Sequence, residues 1–521
     1  MNVADTIEVP AGKKVVALHD LAELCESARN TGKRIVHCHG VFDLLHVGHL
    51  RHFLTAKSWG DVLVVTITAD EFVNKGPGRP AFPGPLRGEM LAALECVDWV
   101  TVINDPSAEP AIEAVKPDIY VKGGEYDNPD KDITGKISRE QELVETHGGQ
   151  VKFTYDVTYS SSNLLNAHFK LFDDAAHSYL ASLRDLGAGQ KIFDYIENIE
   201  KLKIVMVGET IVDHYVYVAP MGKAPKENMI ATLHQNEEVF AGGVIAAANH
   251  LSALCPNLEV VTLLGDSDGG ENFEDLVRRQ LRTKIEPTFV YRPGGPTVQK
   301  TRFVEPTYVR KLFEVYRMDD RPLPDKIRQD FRKRLREKIR EADLVIVCDF
   351  GHGFIDKSVV TTLVDEAKFL AVNVQTNAGN LGYNLLTKYP RADFLCIDAM
   401  EARLVAQDKH VPLEEIVGRV IPSMISCPNV TVTHGKAGCY TYNKKRKGIV
   451  HAPAFRQDIV DTVGAGDAFF ALCSPFAALS APSEIVSFIG NVAGAMKVGV
   501  VGHRESTSKL QLMRYITTLL K

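Results

Sequence analysis

The sequence predicts an α/β fold in which one chain forms two separate parallel sheets. Short apolar runs recur, such as residues 61–68 (DVLVVTIT) and 344–348 (LVIVC), and such strands are typical of parallel sheets buried on both faces. Glycine turns follow these runs, and stretches with helical spacing follow the turns. At 521 residues the chain is longer than one core supports. We predict an N-terminal α/β domain over residues 1–166, a helical connector over 167–201 and a C-terminal doubly wound α/β sandwich over 202–521.

The composition argues against several classes of function. The formal net charge of −6 is unlike that of a general nucleic-acid or membrane-surface binder, so we expect neither partner. The nine cysteines are scattered without a CxxC pair, which predicts reduced thiols rather than a zinc module or a disulfide framework. Residues 1–10 lack the apolar core of a signal peptide, and no apolar run reaches the ~18 residues of a membrane span. We expect a cytoplasmic chain.

A strand, a glycine turn and a helix follow one another near the N-terminus. Residues 20–29 have helical spacing, residues 34–39 alternate as a strand does, and residues 40–43 (GVFD) form a turn. Residues 44–50 then enter a second helix. This order places the backbone N–H groups of a helix start where they can bind a phosphate.

Two histidines stand at this helix start. His46 and His49 are close enough for their rings to lie on one face and converge on one anion, and Gly48 leaves room for a phosphate. Imidazoles donate hydrogen bonds and can be protonated near neutrality, which suits the stabilisation of charge on an α-phosphate under attack. The alternative is a metal-binding cluster with the nearby histidines His37, His39 and His52. No cysteine or carboxylate stands at ligand spacing, so we favour the anion site.

These residues resemble a known family. Residues 40–43 with His46-Val47-Gly48-His49 resemble the HxGH signature of the cytidylyltransferase-like nucleotidyltransferases, which have a Rossmann-like α/β domain. The likeness covers about residues 30–165 and includes residues 56–61 (AKSWGD), 75–80 (KGPGRP), 118–126 (DIYVKGGEY) and 159–163 (YSSSN). The resemblance implies that Lys57 acts in catalysis beside the two histidines. It implies nucleotide contacts from Gly40, Phe42, Asp43, Gly48, Arg87, Lys122, Gly123, Ser160, Ser161 and Ser162.

The chemistry that this resemblance implies is in-line attack by a sugar-phosphate oxygen on the α-phosphorus of a nucleoside triphosphate, with release of pyrophosphate. It needs no covalent intermediate on the protein. Catalysis would consist of positioning and of charge neutralisation by the histidines, the lysines and Mg²⁺. The base of the triphosphate stays open between ATP and CTP.

A charged segment connects the two halves. Residues 169–202 have helical spacing, with Ile192, Tyr195, Ile196 and Ile199 on one face. Residues 187–189 (GAG) interrupt the pattern, so we predict one or two helices. The alternative is that this segment is the tail of the first domain.

The second half contains another phosphate-binding pattern, residues 461–467 (DTVGAGD), which precede an apolar helical stretch. Backbone N–H groups at a helix N-terminus can face an anion, and small residues let a phosphate approach the backbone closely. Asp467 stands at the helix start, where it can accept a proton from a hydroxyl while these N–H groups stabilise a transferring phosphoryl group. The alternative is a glycine turn capped by an aspartate.

The longer string DTVGAGDAF resembles the signature of the ribokinase-like sugar kinases, and the alternation of strands and helices agrees with their doubly wound fold. The resemblance implies that Asp467 is the catalytic base and that ATP is the phosphoryl donor. It implies nucleotide contacts from Thr433, Gly435, Gly438, Gly464, Ala465 and Gly466. It implies that Glu401 helps to hold Mg²⁺ and that the sugar is bound by Asp213, Gly242, Gly243 and Asn249.

Two segments narrow the resemblance. Residues 296–302 (PTVQKTR) and 316–319 (YRMD) resemble heptose-7-phosphate kinases within the wider family. Lys300 and Arg302 would then offer positive charge to a substrate phosphate, and a solvated basic strand is the alternative. Residues 326–341 are densely charged, which predicts an exposed helical face.

Four positions depart from the family pattern. Asn373 and Gln375 stand where relatives carry a lysine-containing segment, and His352 stands where a lysine is common. Asp398 opens the Asp-x-x-Glu segment in place of asparagine. Two cationic positions near the phosphates are therefore missing, and one acidic residue is added. We still expect phosphoryl transfer, because the base and the anion loop keep the pattern.

The pairing of the halves narrows the prediction further. A sugar kinase fused to an HxGH nucleotidyltransferase resembles the bifunctional family of nucleotide-activated heptose synthesis, with the domain order reversed. We predict a sugar-phosphate kinase and sugar-1-phosphate nucleotidyltransferase that makes an ADP-heptose-type product for cell-surface polysaccharide. The alternatives are a cytidylyltransferase and kinase for another sugar or polyol phosphate, and a nucleotidyltransferase with a non-catalytic sensor or dimerisation domain. A homodimer is expected by analogy alone.

Overall fold

The structure, a computed structural model, describes residues 14–73, 79–127, 136–155, 173–282, 284–446, 448–456 and 459–521. The described chain divides into two compact units. The first contains the described residues up to Asp173, with Met513–Leu519, and the second contains Asp174–Leu512. None of the described helices combines the length and apolar character that crossing a bilayer requires.

Helices and strands alternate in the first unit. Its helices are α1 (Leu18–Asn30), α2 (Val47–Lys57), α3 (Gly84–Ala92), α4 (Glu109–Val115) and α5 (Lys136–Thr146). Its strands are β1 (Ile35–Gly40), β2 (Val62–Thr68), β3 (Trp99–Ile103), β4 (Ile119–Gly123) and β5 (Gln150–Thr154). They form one parallel sheet in the order β3-β2-β1-β4-β5. The α/β fold predicted for this region is confirmed.

The strand order of this sheet reverses between β1 and β4, and the register pairs Val36 with Ile119 and Cys38 with Val121. The carboxyl end of β1 therefore lies beside the carboxyl end of β4. All seven positions of β2 are buried, which is why its sequence is continuously apolar. In sheets of this kind ligands bind in the crevice where the strand order reverses.

The second unit also alternates strands and helices. Its first strands are β6 (Ile204–Lys223), β7 (Ile230–Gly243), β8 (Leu258–Gly265), β9 (Glu286–Arg292), β10 (Val298–Glu305) and β11 (Arg310–Arg317). The remaining strands are β12 (Leu344–Asp349), β13 (Leu370–Val374), β14 (Phe394–Asp398), β15 (Asn429–Thr433), β16 (Cys439–Asn443) and β17 (Gly448–Ala452).

The helices of this half begin with α6 (Asp174–Asp185), α7 (Ala188–Ile199), α8 (Val244–Leu251), α9 (Phe273–Gln280), α10 (Asp325–Glu341), α11 (Lys357–Glu366) and α12 (Ala399–Ala406). The short α13 (Leu413–Glu415), a π turn (Ile416–Val420) and α14 (Ile421–Met424) follow. The last helices are α15 (Ala465–Ala478), α16 (Ser483–Lys497) and α17 (Lys509–Leu520).

Strand β6 takes part in two sheets. Its first residues lie in a large sheet with the order β9-β8-β6-β12-β13-β14-β15-β16-β17, parallel up to β15. Its remaining residues join a smaller sheet with the order β7-β6-β10-β11. The apolar run at residues 203–207 (KIVMV), followed by Gly208, predicts a strand that ends at this glycine, and this prediction is wrong because β6 continues to Lys223. A Cβ at Gly208 would lie 2.4 Å from the carbonyl oxygen of Cys348, so this glycine allows close strand packing rather than a turn.

The helices around the large sheet bury apolar faces. The charged helix α10 buries Phe331, Leu335 and Ile339 and turns its other side to solvent, as its charge pattern predicts. Helix α15 is buried along almost its whole length. Strands β12, β13 and β14 supply the centre of the core.

Two helices, α6 and α7, precede the large sheet and belong to the second unit. Gly187 separates them with a φ of 61° and lets the chain reverse between them. Ile192, Ile196 and Ile199 are buried on one face of α7. The described part of this segment is helical, as its spacing predicts, and its role as a connector stays a prediction. Residues 167–172 lie outside the described residues, and the domain boundaries at residues 166 and 201 stay a prediction.

Candidate functional site

The first candidate site lies at the N-terminus of α2. His46 is the N-cap residue, and its Nδ1 accepts a hydrogen bond from the backbone N–H of Gly48 at 3.1 Å. The rings of His46 and His49 stack with 3.9 Å between their centroids. Phe42 stands edge-on to His49 at 5.3 Å. Burial lowers the pKa of His46, so the neutral imidazole is favoured.

Strand β4 pairs with β1, so its carboxyl end lies next to that of β1. The ammonium of Lys122 lies 2.8 Å from the Glu140 carboxylate and 5.1 Å from the centre of the Tyr120 ring. Burial opposes the charge of Lys122, but Tyr120 and Glu140 outweigh it and raise the pKa of Lys122 above its usual value. Lys122 is therefore a charged group near the carboxyl end of β4, and the nucleotide contact predicted for it stays a prediction.

The alternative of a metal cluster finds no support in the described part of the chain. No group of three or more His, Cys, Asp or Glu residues there could hold a metal ion. His37 and His39 instead share the Thr66 hydroxyl, at 2.7 and 2.9 Å. His52 bonds the Thr154 hydroxyl at 2.7 Å.

The prediction for Lys57 is wrong. His46 caps the start of the 11-residue helix α2 and Lys57 ends it, so about 15 Å of helix lies between them. The ammonium of Lys57 donates to the Asp98 carboxylate at 2.5 Å and to the Asp61 carbonyl at 2.6 Å. Both partners lie at the amino ends of strands, on the other edge of the sheet. Lys57 therefore cannot neutralise a phosphate bound by the two histidines.

Arg87 also has a different role from the predicted one. Its side chain is 0% exposed, and its guanidinium donates to the carbonyls of Val41, Thr68 and Phe82 at 2.5, 2.8 and 3.0 Å. It also pairs with Asp70 at 2.5 Å. A direct nucleotide contact by this buried group is excluded in the structure. Arg87 instead stabilises the turn after β1 through its hydrogen bond to the Val41 carbonyl.

Asp43 connects the same turn to the residues before α3. Its buried carboxylate accepts hydrogen bonds from the backbone N–H of Ala81 at 2.5 Å and from Arg79 at 3.1 Å. The nucleotide contacts predicted for Gly40, Phe42, Gly48 and Gly123 stay predictions, and all four residues lie at the carboxyl ends of β1 and β4 or at the start of α2. Ser160, Ser161 and Ser162 lie outside the described residues.

The second candidate site lies at the N-terminus of α15. Gly464 is its N-cap with a φ of 76°, a backbone conformation that favours glycine. Asp461 anchors the loop before it, because its carboxylate accepts from the Tyr215 hydroxyl at 2.9 Å, the Lys311 ammonium at 2.6 Å and the Gly502 N–H at 2.9 Å. The anion loop is therefore held in one conformation by partners from β6, β11 and the segment after α16.

Asp467 follows this loop within the first turn of α15. Its carboxylate accepts a hydrogen bond from the Gln375 amide at 2.6 Å. Burial raises the pKa of Asp467, and His503 and Gln375 oppose the shift. A carboxylate with a raised pKa accepts a proton more readily, which suits the predicted base.

A cavity of about 390 Å³ opens in front of the loop, large enough for much of a nucleotide. It brings the predicted base, Asp467, together with every predicted nucleotide-binding residue of this half: Thr433, Gly435, Gly438, Gly464, Ala465 and Gly466. Cys396, Ile397, Phe455 and Ile459 add apolar surface. The sequence positions of these groups are far apart, and the fold places them around one space.

Glu401 lies in the wall of the same cavity, with Asp398. Its oxygens accept the backbone N–H groups of Thr376 at 2.8 Å and of Asp398 at 2.7 Å, and they close the capping box of α12. Burial raises the pKa of Glu401 to about 7. Each oxygen keeps a second lone pair, and Mg²⁺ is usually held by one or two carboxylates together with phosphates and water. Glu401 and Asp398 therefore fit a magnesium–nucleotide complex.

The acceptor side of the cleft is formed by β6 and β10. Asp213 is 3% exposed, and its two carboxylate oxygens are bonded to Arg302 and, at 3.1 Å, to His503. Lys300 is the direct partner of Asp213 in the ladder between β10 and β6, and it is 8% exposed. Its ammonium stands 5.1 Å from the centre of the Tyr316 ring. These three predicted residues are therefore neighbours.

The two predicted glycines stand next to this carboxylate. A Cβ at Gly242 would lie 1.9 Å from an Asp213 oxygen, and Gly243 begins α8 with a φ of 63°. Asn249 has a different role: its amide donates to the Gln280 carbonyl at 2.9 Å and accepts from the Arg282 N–H at 3.0 Å. The sugar contact predicted for Asn249 is thus corrected to a contact that fixes the end of α9.

The departures from the family pattern have visible consequences. His352 is 1% exposed, and burial, with the charge of Lys300, lowers its pKa to about 3. It is therefore neutral near pH 7 and does not replace a lysine. Asn373 donates to the Cys396 carbonyl at 2.8 Å. Gln375 turns toward Asp467. Cationic groups near this site include Lys300, Arg302, Lys311 and the buried Lys497, and Lys436 and Arg456 line the cavity.

Sequence reasoning missed Lys311, Lys497 and His503. All three stand outside the recognised motifs. Lys311 pairs with Asp461 across 150 positions and His503 with Asp213 across 290, whereas Lys497 packs against Gly464. Of the three, Lys311 alone has a possible signal in the sequence, because its partner Asp461 belongs to the recognised motif. No local pattern marks His503.

Each half of the chain matches a known family. The model of the pfkB family of carbohydrate kinases matches residues 201–510, and the cytidylyltransferase-like model matches residues 37–167. The first match covers more than half of the chain. The protein therefore belongs to the pfkB carbohydrate kinase family, and it carries a cytidylyltransferase-like domain at its N-terminus.

Among curated proteins the chain is similar to "Bifunctional protein HldE" of several bacteria. The one from Alcanivorax borkumensis is 42% identical over 144 residues, which are 27% of this chain and 29% of the relative. The one from Geobacter metallireducens is 36% identical over 164 residues, 31% of this chain and 32% of the relative. These matches lie in the N-terminal region, and the chain spans about a third of the length of each relative.

Among solved structures the chain is similar to phosphofructokinase-2 from Escherichia coli in complex with substrates and products. The TM-score is 0.50 at 12% sequence identity, over 61% of this chain and 100% of the other. A likeness at this identity shows the fold alone. The ribokinase-like sandwich predicted for the second half is thereby confirmed.

Proposed function

We propose that the chain is a bifunctional transferase. Its second half transfers a phosphoryl group from ATP to a hydroxyl of a sugar phosphate. Its first half joins a sugar 1-phosphate to the nucleotide of ATP or CTP and releases pyrophosphate. We favour heptose phosphates and an ADP-heptose-type product for cell-surface polysaccharide, because residues 296–302 and 316–319 resemble heptose-7-phosphate kinases.

The observation that carries the kinase proposal is Lys300. Its side chain is 8% exposed, its ammonium makes no hydrogen bond within the described part of the chain, and both Asp213 and Asp467 act on it electrostatically. The Tyr316 ring offsets only part of the cost of burying this charge. A substrate phosphate bound in the cleft would give the ammonium of Lys300 a charged partner. Lys300 would then orient it toward the hydroxyl from which Asp467 takes a proton.

The first half is supported by the position of its histidines. His46 and His49 stand at a helix N-terminus that follows β1, the strand at which the order of the sheet reverses, and the charged Lys122 lies on the neighbouring strand β4. In-line substitution at phosphorus needs hydrogen-bond donors around the developing charge rather than a nucleophile from the protein. Two imidazoles, helix N–H groups and one ammonium are suited to that task.

The experiment that tests the proposal identifies products. The full chain is incubated with Mg²⁺, a panel of sugar and polyol phosphates, and each of ATP, CTP and GTP, and the products are determined by mass. We expect a sugar bisphosphate with ATP and a nucleotide-linked sugar with a sugar 1-phosphate. Asp467→Asn should remove only the first product, and His49→Ala only the second. Loss of both products in either variant would contradict the assignment of separate sites.

A second candidate is supported by the bond between Gln375 and Asp467. This contact occupies an oxygen of the proposed base, as it would in a domain that binds a sugar phosphate without transferring to it. Binding of a sugar phosphate by calorimetry, together with no phosphoryl transfer from ATP, would establish this sensor function. A cytidylyl product with another sugar or polyol phosphate would establish the remaining alternative.

We also propose a homodimer that acts in the cytoplasm. The smaller sheet exposes large apolar side chains: Met221, Ile230, Leu233, Phe313 and Val315. Exposed apolar groups on a sheet commonly mark an interface. The nine cysteines are buried thiols, which agrees with a reducing compartment. Light scattering of the wild type and of Phe313→Asp would test the dimer: a monomeric wild type contradicts it.

A further inference from the structure

His503 is a residue of the second half that no motif assigns. It follows Gly502 in the segment between α16 and α17, and its side chain is 8% exposed. The Nε2 atom lies 3.1 Å from an oxygen of Asp213, and the ring stands edge-on to Phe240 at 6.3 Å. Its neighbours thus include the carboxylate proposed to bind the acceptor sugar.

The charge of Asp213 fixes which nitrogen of His503 carries a proton. Burial would raise the pKa of Asp213, but the hydrogen bond from His503 and the charge of Arg302 outweigh it and hold this pKa well below its usual range. An ionised carboxylate only accepts hydrogen bonds, so Nε2 of His503 must donate. Arg302 donates to the other oxygen. The two donors together fix the orientation of Asp213.

The opposite edge of the His503 ring packs against the phosphate loop. A Cβ at Gly464 would lie 2.7 Å from Cε1 and 3.3 Å from Nδ1 of this ring. Nδ1 is buried and has no hydrogen-bond partner among the described residues. The imidazole therefore spans the space from the acceptor carboxylate to the N-cap of α15. After burial, His503 is also the first influence on the pKa of Asp467.

We propose that His503 is a positioning residue for phosphoryl transfer, which holds Asp213 and the loop at Gly464 at a fixed separation. This inference rests on the proposed kinase function. The acceptor hydroxyl is bound at Asp213 and the phosphoryl group at the loop, so the ring sets the distance between the reacting atoms. A misplacement of about 1 Å at such a site costs about 100-fold in rate.

Two substitutions test the two nitrogen atoms of the His503 ring one at a time. In His503→Gln the side-chain amide reaches the place of Nε2 and keeps a donor to Asp213. In His503→Asn the amide reaches only the place of Nδ1 and loses that donor. We expect His503→Asn and His503→Ala to lower kcat for phosphoryl transfer about 100-fold, and His503→Gln to stay within about threefold of wild type. The KM for ATP should change little in all three, because the nucleotide cavity is lined by other residues.

The controls distinguish positioning from general damage. Pyrophosphate release by the first half should stay at the wild-type level in every variant. In a double-mutant cycle, His503→Ala should add nothing to Asp213→Ala, because both remove one link. Additive losses, or equal losses in the Gln and Asn variants, would overturn the inference.

A third arm uses the contact with Gly464. Gly464→Ala places a methyl group against the ring, and His503→Ala should recover part of the Tm lost in Gly464→Ala, because the clash with the ring is removed while the strain of a φ of 76° remains. Failure of this rescue in a folded double variant would contradict the packing role. If the wild type transfers phosphate and the His503 variants keep its rate, this inference alone is contradicted. A wild type that transfers phosphate to no sugar phosphate sinks the proposed kinase function, and the inference with it.

Discussion

The two candidate phosphate sites both lie at helix N-termini, but they are built in different ways. The first is supplied mainly by residues 40–49, one turn and one helix start. The second is assembled from β6, β10, β13, α15 and the segment that contains His503. A short stretch of chain can therefore define an anion site. A site for two substrates depends instead on contacts between segments that are far apart in the sequence.

The sites also differ in charge. At the first, burial lowers the pKa of His46 and favours its neutral imidazole, and Lys122 supplies a fixed charge. At the second, Asp213, Asp467 and Glu401 stand around a cleft that holds Lys300. The acid-rich site therefore depends on cations for phosphate binding, and the histidine site depends on hydrogen-bond geometry. Substitutions at each should have separable effects.

The largest expected effect is that of Asp467→Asn. Loss of the proposed base should lower the rate of phosphoryl transfer about 10³-fold or more, because general-base catalysis of this kind contributes ~10²–10⁴-fold. Initial rates of ADP formation with a sugar phosphate measure it. Nucleotidyl transfer by the same protein is the control and should be unchanged. A variant with more than a tenth of wild-type kinase activity would remove Asp467 from the role of base.

The next largest effect belongs to the histidine pair. His46→Ala and His49→Ala should each lower pyrophosphate release about 10²–10³-fold, because each removes a hydrogen-bonding group from the developing charge. His147 is exposed at the end of α5 and provides the matched control, and His147→Ala should have wild-type rates. Phosphoryl transfer should stay unchanged in all three. Retained pyrophosphate release in either site variant would exclude that histidine from the mechanism.

A smaller effect separates glycines that serve a ligand from glycines that serve packing. No atom lies within 4 Å of a Cβ at Gly466, so Gly466→Ala should leave Tm unchanged or raise it while weakening ATP binding about tenfold. A Cβ at Gly242 would clash with Asp213, so Gly242→Ala should weaken sugar-phosphate binding and lower Tm. Calorimetry with each ligand measures both. Unchanged ATP affinity in Gly466→Ala would mean that phosphate does not approach this position.

The parts that could be predicted from sequence are those encoded locally. The turn at residues 40–43, the start of α2 and the loop before α15 each depend on a few adjacent residues. Lys57 was misplaced because its distance along the helix, rather than its charge, decides which edge of the sheet it reaches. Strand β6 was ended too early because a glycine can serve close strand packing as well as a turn.

The contacts that could not be predicted join distant segments. Gln375 reaches Asp467 across 92 positions, and His503 reaches Asp213 across 290. Nothing in the neighbouring residues distinguishes these side chains from solvent-exposed polar groups. The family pattern gave the positions where a lysine was missing, but only the fold reveals that Gln375 turns to the base and that His352 is a buried neutral ring.

The smallest expected effect concerns how stability depends on pH in the first unit. His37 is fully buried, and burial followed by the charge of Lys122 lowers its pKa to about 3. Folding therefore favours the neutral ring, so this stabilisation is complete above the unfolded pKa of about 6.5 and is lost as pH falls toward 3. Between pH 7.5 and 5.5 the free energy of unfolding should fall by about 1 kcal/mol.

Both tryptophans, Trp59 and Trp99, belong to the first unit, so denaturant unfolding followed by tryptophan fluorescence reports this unit alone. His37→Gln can keep a hydrogen bond to the Thr66 hydroxyl without a titrating ring, and it should flatten the dependence over this range. In the second unit the opposite shift of Glu209, whose pKa burial and Asp349 raise to about 7, offsets that of His352. An unchanged slope in His37→Gln would assign the acid sensitivity of the first unit to other groups.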